Sequence, residues 1–256
     1  MGIIGKIIYS PFSSKEKVEK YQQIIRDEEW KWLRNEIPGN SKFLDVGCGA
    51  GYTMQKVTED LNCDCVGIDP DPGAHGVGRY TKEMVQSNKI LQGFAENLPS
   101  RDKEFDIVFS SHVLEHVNDE LKSLQEMKRV LKDDGALIIG MPTATMTWIS
   151  FFSQLFLLTH IRIYEFIKGL FSKNVFKLLK RIFVYRSHSY PRAQTIFYDF
   201  MHYRVSNWTK IVSKEFEIIK TLEPCLYPYP DYFQWFKIHH SKIVSSSVFF
   251  ICRKKK

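Results

Sequence analysis

The chain has 256 residues, 44% hydrophobic and 25% charged, with a formal net charge of +7 at pH 7. That length carries one substantial core with an elaboration, and the ordinary composition excludes a disordered or fibrous polypeptide. The basic excess points to an anionic partner, whether nucleic acid, acidic substrate or phospholipid surface, without choosing among them.

In chain order, residues 14–36 read as a helix, with apolar Val18, Tyr21, Ile25, Trp32 and Leu33 at helical spacing and Pro38-Gly39 as its stop. "KFLDVG" is a buried strand, "YTMQKVTEDL" a helix, and "CDCVGID" a second strand ending in an acid. "GVGRYTKEMVQS" has helical character, and "KILQGFA" and "FDIVFSS" are the third and fourth strands. "DELKSLQEMKRVL" is a helix, and "ALIIGM" is a fifth strand stopped by Pro142. Such alternation builds a parallel sheet covered on both faces. It lapses over an aromatic, apolar and basic stretch from 143 to about 190. It resumes with "VSNWTKIVSKE" as helix and with "FEIIKTLE" and "SSSVFFICRK" as strands. The expected plan is an N-terminal helical segment (1–40), a sheet domain made of 41–142 and 195–256, and a helical insertion (143–194).

Five cysteines fit no paired zinc spacing, and no apolar export signal opens the chain, so free thiols in a reducing cytoplasm are expected. "MGIIGKIIYSPF" has too few apolar residues to cross a bilayer.

"FLDVGCGAG" places glycines at 47, 49 and 51 directly after the first strand, with Asp45 inside it. In an open parallel sheet, ligands lie beyond the carboxyl ends of the strands, where free helix amides also point. The turn either cradles a ligand with bare backbone or only makes a tight strand-to-helix corner. Gly-x-Gly-x-Gly is one residue short of the dinucleotide fingerprint. With an acid two residues before the first glycine, it resembles motif I of the class I S-adenosylmethionine-dependent methyltransferases. Three further stretches carry the likeness: Asp69 at the end of the second strand, "AENLPSRDKEFDIVFSSHVLEHV", and "RVLKDDGALIIGMP", which is similar to the methyltransferase type 11 group.

The resemblance implies a doubly wound, mostly parallel α/β sheet of seven strands, Rossmann-like, closed by an antiparallel hairpin. It also implies S-adenosyl-L-methionine as cofactor. Gly47, Cys48 and Gly49 would bring backbone to the amino-acid portion, and Asp45 would favour its ammonium. Asp69 would accept the ribose hydroxyls, with Ala95, Glu96, Ser110 and Ser111 completing the contacts. Many relatives have an acid before the third-strand alanine; here Phe94 stands there, and it is read as a core residue.

Methyl transfer from a sulfonium needs alignment and exclusion of water, and a base only where the acceptor's proton must leave early. His112, Glu115 and His116 would share a face if the segment after the fourth strand turned helical. His112, nearest the strand end, is the first candidate base or substrate-orienting group; a plain neighbour of the cofactor is the alternative. Methyltransferases of ubiquinone synthesis carry a similar Glu-x-x-Glu-His metal-holding segment. Relatives with Leu-Glu-His-Val hold none, and no metal is expected. His202 resembles by position a histidine that approaches the acceptor pocket in relatives.

In the insertion, Val175, Phe176, Leu178, Leu179, Ile182 and Phe183 fall on one helical face and Lys173, Lys177, Lys180 and Arg181 on the other. A lid over the sheet, a helix in an anionic membrane interface spanning residues 148–186, and an RNA contact all fit this pattern. The expected activity is O-methylation of a small molecule or a lipid- or glycan-type acceptor, in the cytoplasm or at the membrane periphery. The alternatives are an RNA methyltransferase and a non-catalytic, membrane-associated cofactor-binding protein.

Overall fold

A computed structural model describes residues 15–74, 89–152, 163, 167, 196–227 and 244–255. The helix read over 76–87, the basic helix of the insertion and most of "CLYPYPDYFQWF" lie outside the described residues.

Helix α1 (Lys15–Leu33) leads through a 3₁₀ turn (Arg34–Glu36) into β1 (Lys42–Val46). Then come α2 (Tyr52–Leu61), β2 (Asp64–Asp69), β3 (Ile90–Gln92) and β4 (Phe105–Ser111). The chain continues through α3 (Glu120–Val130), β5 (Leu131–Pro142), α4 (Ile196–His202), α5 (Val205–Val212), β6 (Phe216–Leu222) and β7 (Ser247–Lys254). The seven strands form one sheet in the order β3-β2-β1-β4-β5-β7-β6. Pairs from β3 to β5 are parallel, and β7 runs antiparallel to both β5 and β6. Strand order reverses between β1 and β4, which puts the ligand-binding crevice at the ends of those two strands.

Alternation along the strands explains both faces of the sheet. Leu44, Val46, Val108, Leu137, Ile139 and Phe250 point into one core cluster, and Phe43, Ile107, Phe109, Ile138 and Phe249 into the other. Phe43, Phe109 and Phe249 stack across β1, β4 and β7, with centroids 5.9 and 6.5 Å apart. Each such fully buried side chain contributes roughly 2–3 kcal/mol. The cysteines at 48, 63, 65, 225 and 252 are buried and free.

Local signals set the helix ends. Asn62 caps α2 in the left-handed region (φ 53), and the Asp119 carboxylate accepts a bond from the Lys122 amide at the start of α3, 3.0 Å away.

Three sequence expectations need correction. Trp32, assigned to the apolar face of α1, is 44% exposed, while Trp30 is buried together with Glu29. Trp30 donates its ring N–H to Asp60 of α2 at 2.7 Å, so docking onto α2 rather than hydropathy alone turns the helix. Phe94, expected in the core, is 63% exposed in a turn bridged to Asn97. Residues 112–118 form turns instead of a helix, because His112 leaves β4 with a positive φ of 56°.

Candidate cofactor and acceptor site

The glycine turn folds back over the end of β2. The Gly47 amide donates to the Ile68 carbonyl at 2.7 Å, and the Gly49 amide to Asp69 Oδ2 at 2.8 Å. Gly47 has a φ of 76°, and a Cβ placed there would lie 2.1 Å from Val113 Cγ2. The first glycine is therefore required by the loop after β4, which presses on the turn from the far side. Cys48 turns its thiol inward beneath Gly67, so only its backbone faces the crevice, and burial raises the thiol pKa.

Two carboxyl groups mark the switch point. Asp69 ends β2 and accepts bonds from the Gly49 and Asp71 amides, both at 2.8 Å, one on each oxygen. Each oxygen keeps a second lone pair for a hydroxyl donor. Asp45 is 3% exposed and has no hydrogen-bond partner among the described residues. Burial first, and then the nearby Asp69, push its pKa up to about 8, against a smaller opposing pull from Arg26. A buried acid in that condition is a receptor for a cation.

Beyond Asp69 the expected contacts divide. Ala95 is buried and packs in the core cluster with Leu98. Glu96 is used locally, its carboxylate accepting the Asn118 amide at 2.9 Å. On β4, the Ser110 hydroxyl is buried without a partner among the described residues, and the Ser111 hydroxyl receives Arg26 Nη1 at 3.3 Å.

His112 sits at the mouth. Its amide donates to the Gly140 carbonyl at 2.9 Å, tying the turn to β5. A non-glycine residue in the left-handed region costs about 1 kcal/mol or more, and such residues gather at functional sites. Nδ1 lies 3.3 Å from a Glu115 carboxylate oxygen, and Nε2 is buried with no partner among the described residues. His116 is exposed. Among the described residues, no group of three or more His, Cys, Asp or Glu is placed to hold a metal.

His202 belongs to a different constellation. Its Nε2 lies 2.6 Å from Glu120 Oε1, its ring stacks on Tyr198 at 4.7 Å, and it meets the Trp208 ring edge-on at 4.8 Å. These contacts lock α4 onto the start of α3 and onto α5.

Arg26, Glu29 and Tyr227 escaped sequence reasoning. Glu29 is 1% exposed and receives Arg26 Nη1 at 2.5 Å, the Tyr227 hydroxyl at 2.8 Å and the Ser247 hydroxyl at 2.7 Å. Burial opposes the Glu29 charge, but Arg26, His112 and the two hydroxyls outweigh it and hold its pKa below the ordinary value. Burial likewise opposes the Arg26 charge, and Glu29, Tyr227 and Glu115 overcome it to raise its pKa. The only sequence signal was an i, i+3 Arg–Glu pair, which on most helices lies in solvent.

Residues 44–139 match the family model described as a methyltransferase domain. Among curated proteins, the Bacillus subtilis protein named uncharacterized methyltransferase YcgJ is 29% identical over 51% of this chain and 53% of its own length. Demethylmenaquinone methyltransferase of Staphylococcus epidermidis is 28% identical over 62% of this chain and 66% of its own. The chain thus spans about half to two thirds of these relatives. An S-adenosylmethionine-dependent methyltransferase from Thermotoga maritima superposes with a TM-score of 0.55 at 18% identity, covering 97% of this chain and 98% of that one. At that identity the likeness concerns the fold alone. Motif order, strand order and matched region agree: residues 44–139 match a methyltransferase domain, set in a seven-stranded sheet of the class I methyltransferase fold.

Proposed function

We propose that the protein is a methyltransferase that transfers the methyl group of S-adenosylmethionine to a hydroxyl oxygen of a small-molecule, lipid- or glycan-type acceptor. The cofactor supplies a methyl group on a positively charged sulfur. The residues present fit it: Asp45 is a buried carboxyl without a hydrogen-bond partner among the described residues, suited to an ammonium, and Asp69 has acceptor capacity left for ribose hydroxyls. A single observation carries the catalytic assignment. His112 is held in a strained backbone conformation at the carboxyl end of β4, with a buried Nε2 that no described residue satisfies. Nε2 would accept the hydroxyl proton while the methyl carbon exchanges its bond to sulfur, whose electron pair stays on the departing thioether, for a bond to the acceptor oxygen, and Glu115 at Nδ1 would orient the ring and steady its positive charge. Gly47, Gly49 and Asp45 align the donor, and Val113 closes the turn against water.

The membrane side of the proposal rests on apolar surface beside the site. Trp148, Phe152, Phe197 and Met201 are exposed, and Trp148 and Phe200 pack at 4.3 Å. Trp148 and Phe152 lie within, and Phe197 and Met201 follow, a stretch from 147 to 186 with seven Lys or Arg against one acid. Among the described residues no helix is long and apolar enough to cross a membrane; the contact proposed is an interfacial one, apolar side chains entering the headgroup boundary and basic ones meeting anionic lipid.

The test is radiolabelled methyl transfer into a fractionated cell extract, separating lipid, glycan, RNA and protein. Label in the lipid or glycan fraction that is lost in His112→Ala supports the proposal. Label confined to RNA or protein overturns the acceptor class, and no label anywhere overturns the activity. Flotation with anionic vesicles decides the membrane role separately.

A further inference from the structure

We infer that the rings of Trp148, Phe151, Phe152, Phe197 and Phe200 form an interfacial dock for an anionic bilayer. The acceptor is then an amphiphile that stays in that bilayer while its hydroxyl enters the site. This rests on the methyl-transfer reading above and narrows its acceptor to one class.

The first ground is continuity. Single exposed apolar side chains are ordinary on a soluble protein, whereas joined ones mark a contact surface. Trp148 packs on Phe200 at 4.3 Å and on Phe152 at 5.8 Å. Phe200 in turn meets Phe151 at 6.2 Å and Phe197 at 6.4 Å. Phe197 is 76% exposed, and Met201, one turn further along α4, is 60% exposed.

The second ground is rigidity. In the helical residues 144–152, Met146 clusters with Ile25 and Tyr227, and Thr147 and Ser150 are buried. In α4, Ile196 and Asp199 are buried while Phe197 and Met201 face out. The Ala144 amide donates to the Tyr203 carbonyl at 2.8 Å, pinning the start of one helix to the end of the other. Both are seated by one side and present the rings on another.

The third ground is charge, which favours lipid over a protein partner. From 147 to 186, seven Lys or Arg stand against the single acid Glu165. Basic residues beside an apolar face meet anionic headgroups while the rings enter the acyl boundary, a depth that tryptophan prefers.

The fourth ground is placement. The chain passes from Pro142, the last residue of β5, directly into 144–152, and the His112 amide donates to the Gly140 carbonyl of the same strand at 2.9 Å. Dock and base are thus tied to residues 140–144, at the carboxyl end of the sheet. An acceptor whose apolar tail remains among lipids can offer its hydroxyl there without crossing water.

Tryptophan fluorescence with vesicles of phosphatidylcholine and phosphatidylglycerol, bromine-labelled on their acyl chains, tests the dock. The wild type should be quenched, and Trp148→Phe should lose most of that quenching. Phe197→Ser/Met201→Ser should weaken vesicle partition by about ten- to a hundredfold. Its S-adenosylhomocysteine affinity should stay within about twofold of the wild type. With cell membranes as acceptor source, this double variant should lose methyl label from the lipid fraction in step with its lost partition. A wild type that binds S-adenosylhomocysteine yet shows no quenching overturns the dock and leaves the cofactor assignment standing. Self-association in sedimentation that the double variant abolishes, without vesicle binding, gives the rings to a second copy and also overturns it. Lipid labelling that survives the loss of partition overturns the bilayer-resident acceptor alone. Quenching without label in any fraction overturns the methyl-transfer reading and leaves the dock.

Discussion

Tyr227 donates its phenolic hydrogen bond to Glu29 at 2.8 Å across 198 residues of sequence. The bond ties a helix that precedes the glycine turn to a segment that follows β6, and it buries a carboxylate in doing so. Removing one partner from such a cluster costs far more than the pair is worth, because the other is left charged and dry. Glu29→Ala should lower unfolding free energy by about 3–5 kcal/mol, and Tyr227→Phe by about 1–3 kcal/mol. Urea denaturation checks both; equal, negligible losses would mean that the helix is not held by this contact.

The Asp45 carboxyl titrates near pH 8 in the folded chain, against an ordinary value of 3.8. A carboxyl with a raised folded pKa stabilises fully below its unfolded value, and that contribution is lost as pH rises through the folded one. Asp45→Asn should therefore match the wild type near pH 4 and become the more stable protein by pH 8, by on the order of a few kcal/mol. Urea titrations across that range test the sign. In the same window, an arriving ammonium should expel the Asp45 proton. Calorimetry of S-adenosylhomocysteine binding at pH 7 in buffers of different ionisation enthalpy should show proton release, and Asp45→Asn should abolish it.

Asp69 braces the turn through the Gly49 and Asp71 amides, and under the proposed function it would also present oxygens to the ribose. Asp69→Ala should weaken S-adenosylhomocysteine by about two orders of magnitude, since it removes charge-assisted bonds of about 1.5–3 kcal/mol each. The far-ultraviolet dichroism should stay that of the folded sheet. Unchanged affinity would place the ribose elsewhere.

Replacing His112 by glycine separates strain from chemistry. Glycine adopts the 56° φ without cost, so His112→Gly should unfold no more easily than the wild type. Methyl transfer should nevertheless fall by about 10²–10⁴-fold, the usual worth of a positioned base. Retained turnover would reduce His112 to a backbone role.

Gly47 and Val113 form a steric pair. Gly47→Ala should destabilise strongly, since its Cβ would fall 2.1 Å from the Val113 side chain at a φ of 76°. Adding Val113→Ala should recover part of the loss and leave the backbone penalty of roughly 1–3 kcal/mol. No recovery in the double variant would mean that the contact is not what requires the glycine.

Where local pattern and long-range packing agreed, the sequence was legible. "YTMQKVTEDL" and "FDIVFSS" occupy the whole of α2 and β4, because the glycine turn and the strand hydropathy leave no alternative register. Asp45 and Asp69 likewise stand on the strand ends where the motif spacing put them. Partnerships between distant elements were harder. Nothing around Arg26 and Glu29 distinguishes them from a solvated helical pair until Tyr227 and Ser247 arrive from the far end of the chain. Hydropathy turns Trp32 inward because it ignores the bond that draws Trp30 to Asp60. Whether 112–118 turns helical stays open in the sequence, because a positive φ at histidine leaves no mark there.

The strand order has a temporal side. Among the described residues β6 occupies the sheet edge with β7 as its sole neighbour, and β7 also forms the antiparallel partner of β5. As the ribosome extends the polypeptide, residues 216–222 emerge with no seat to dock into, and Leu137 through Pro142 present an open border of amides and carbonyls. Both wait for 247–254 to slide between them. Newborn chains halted before that point should be the ones chaperones hold longest.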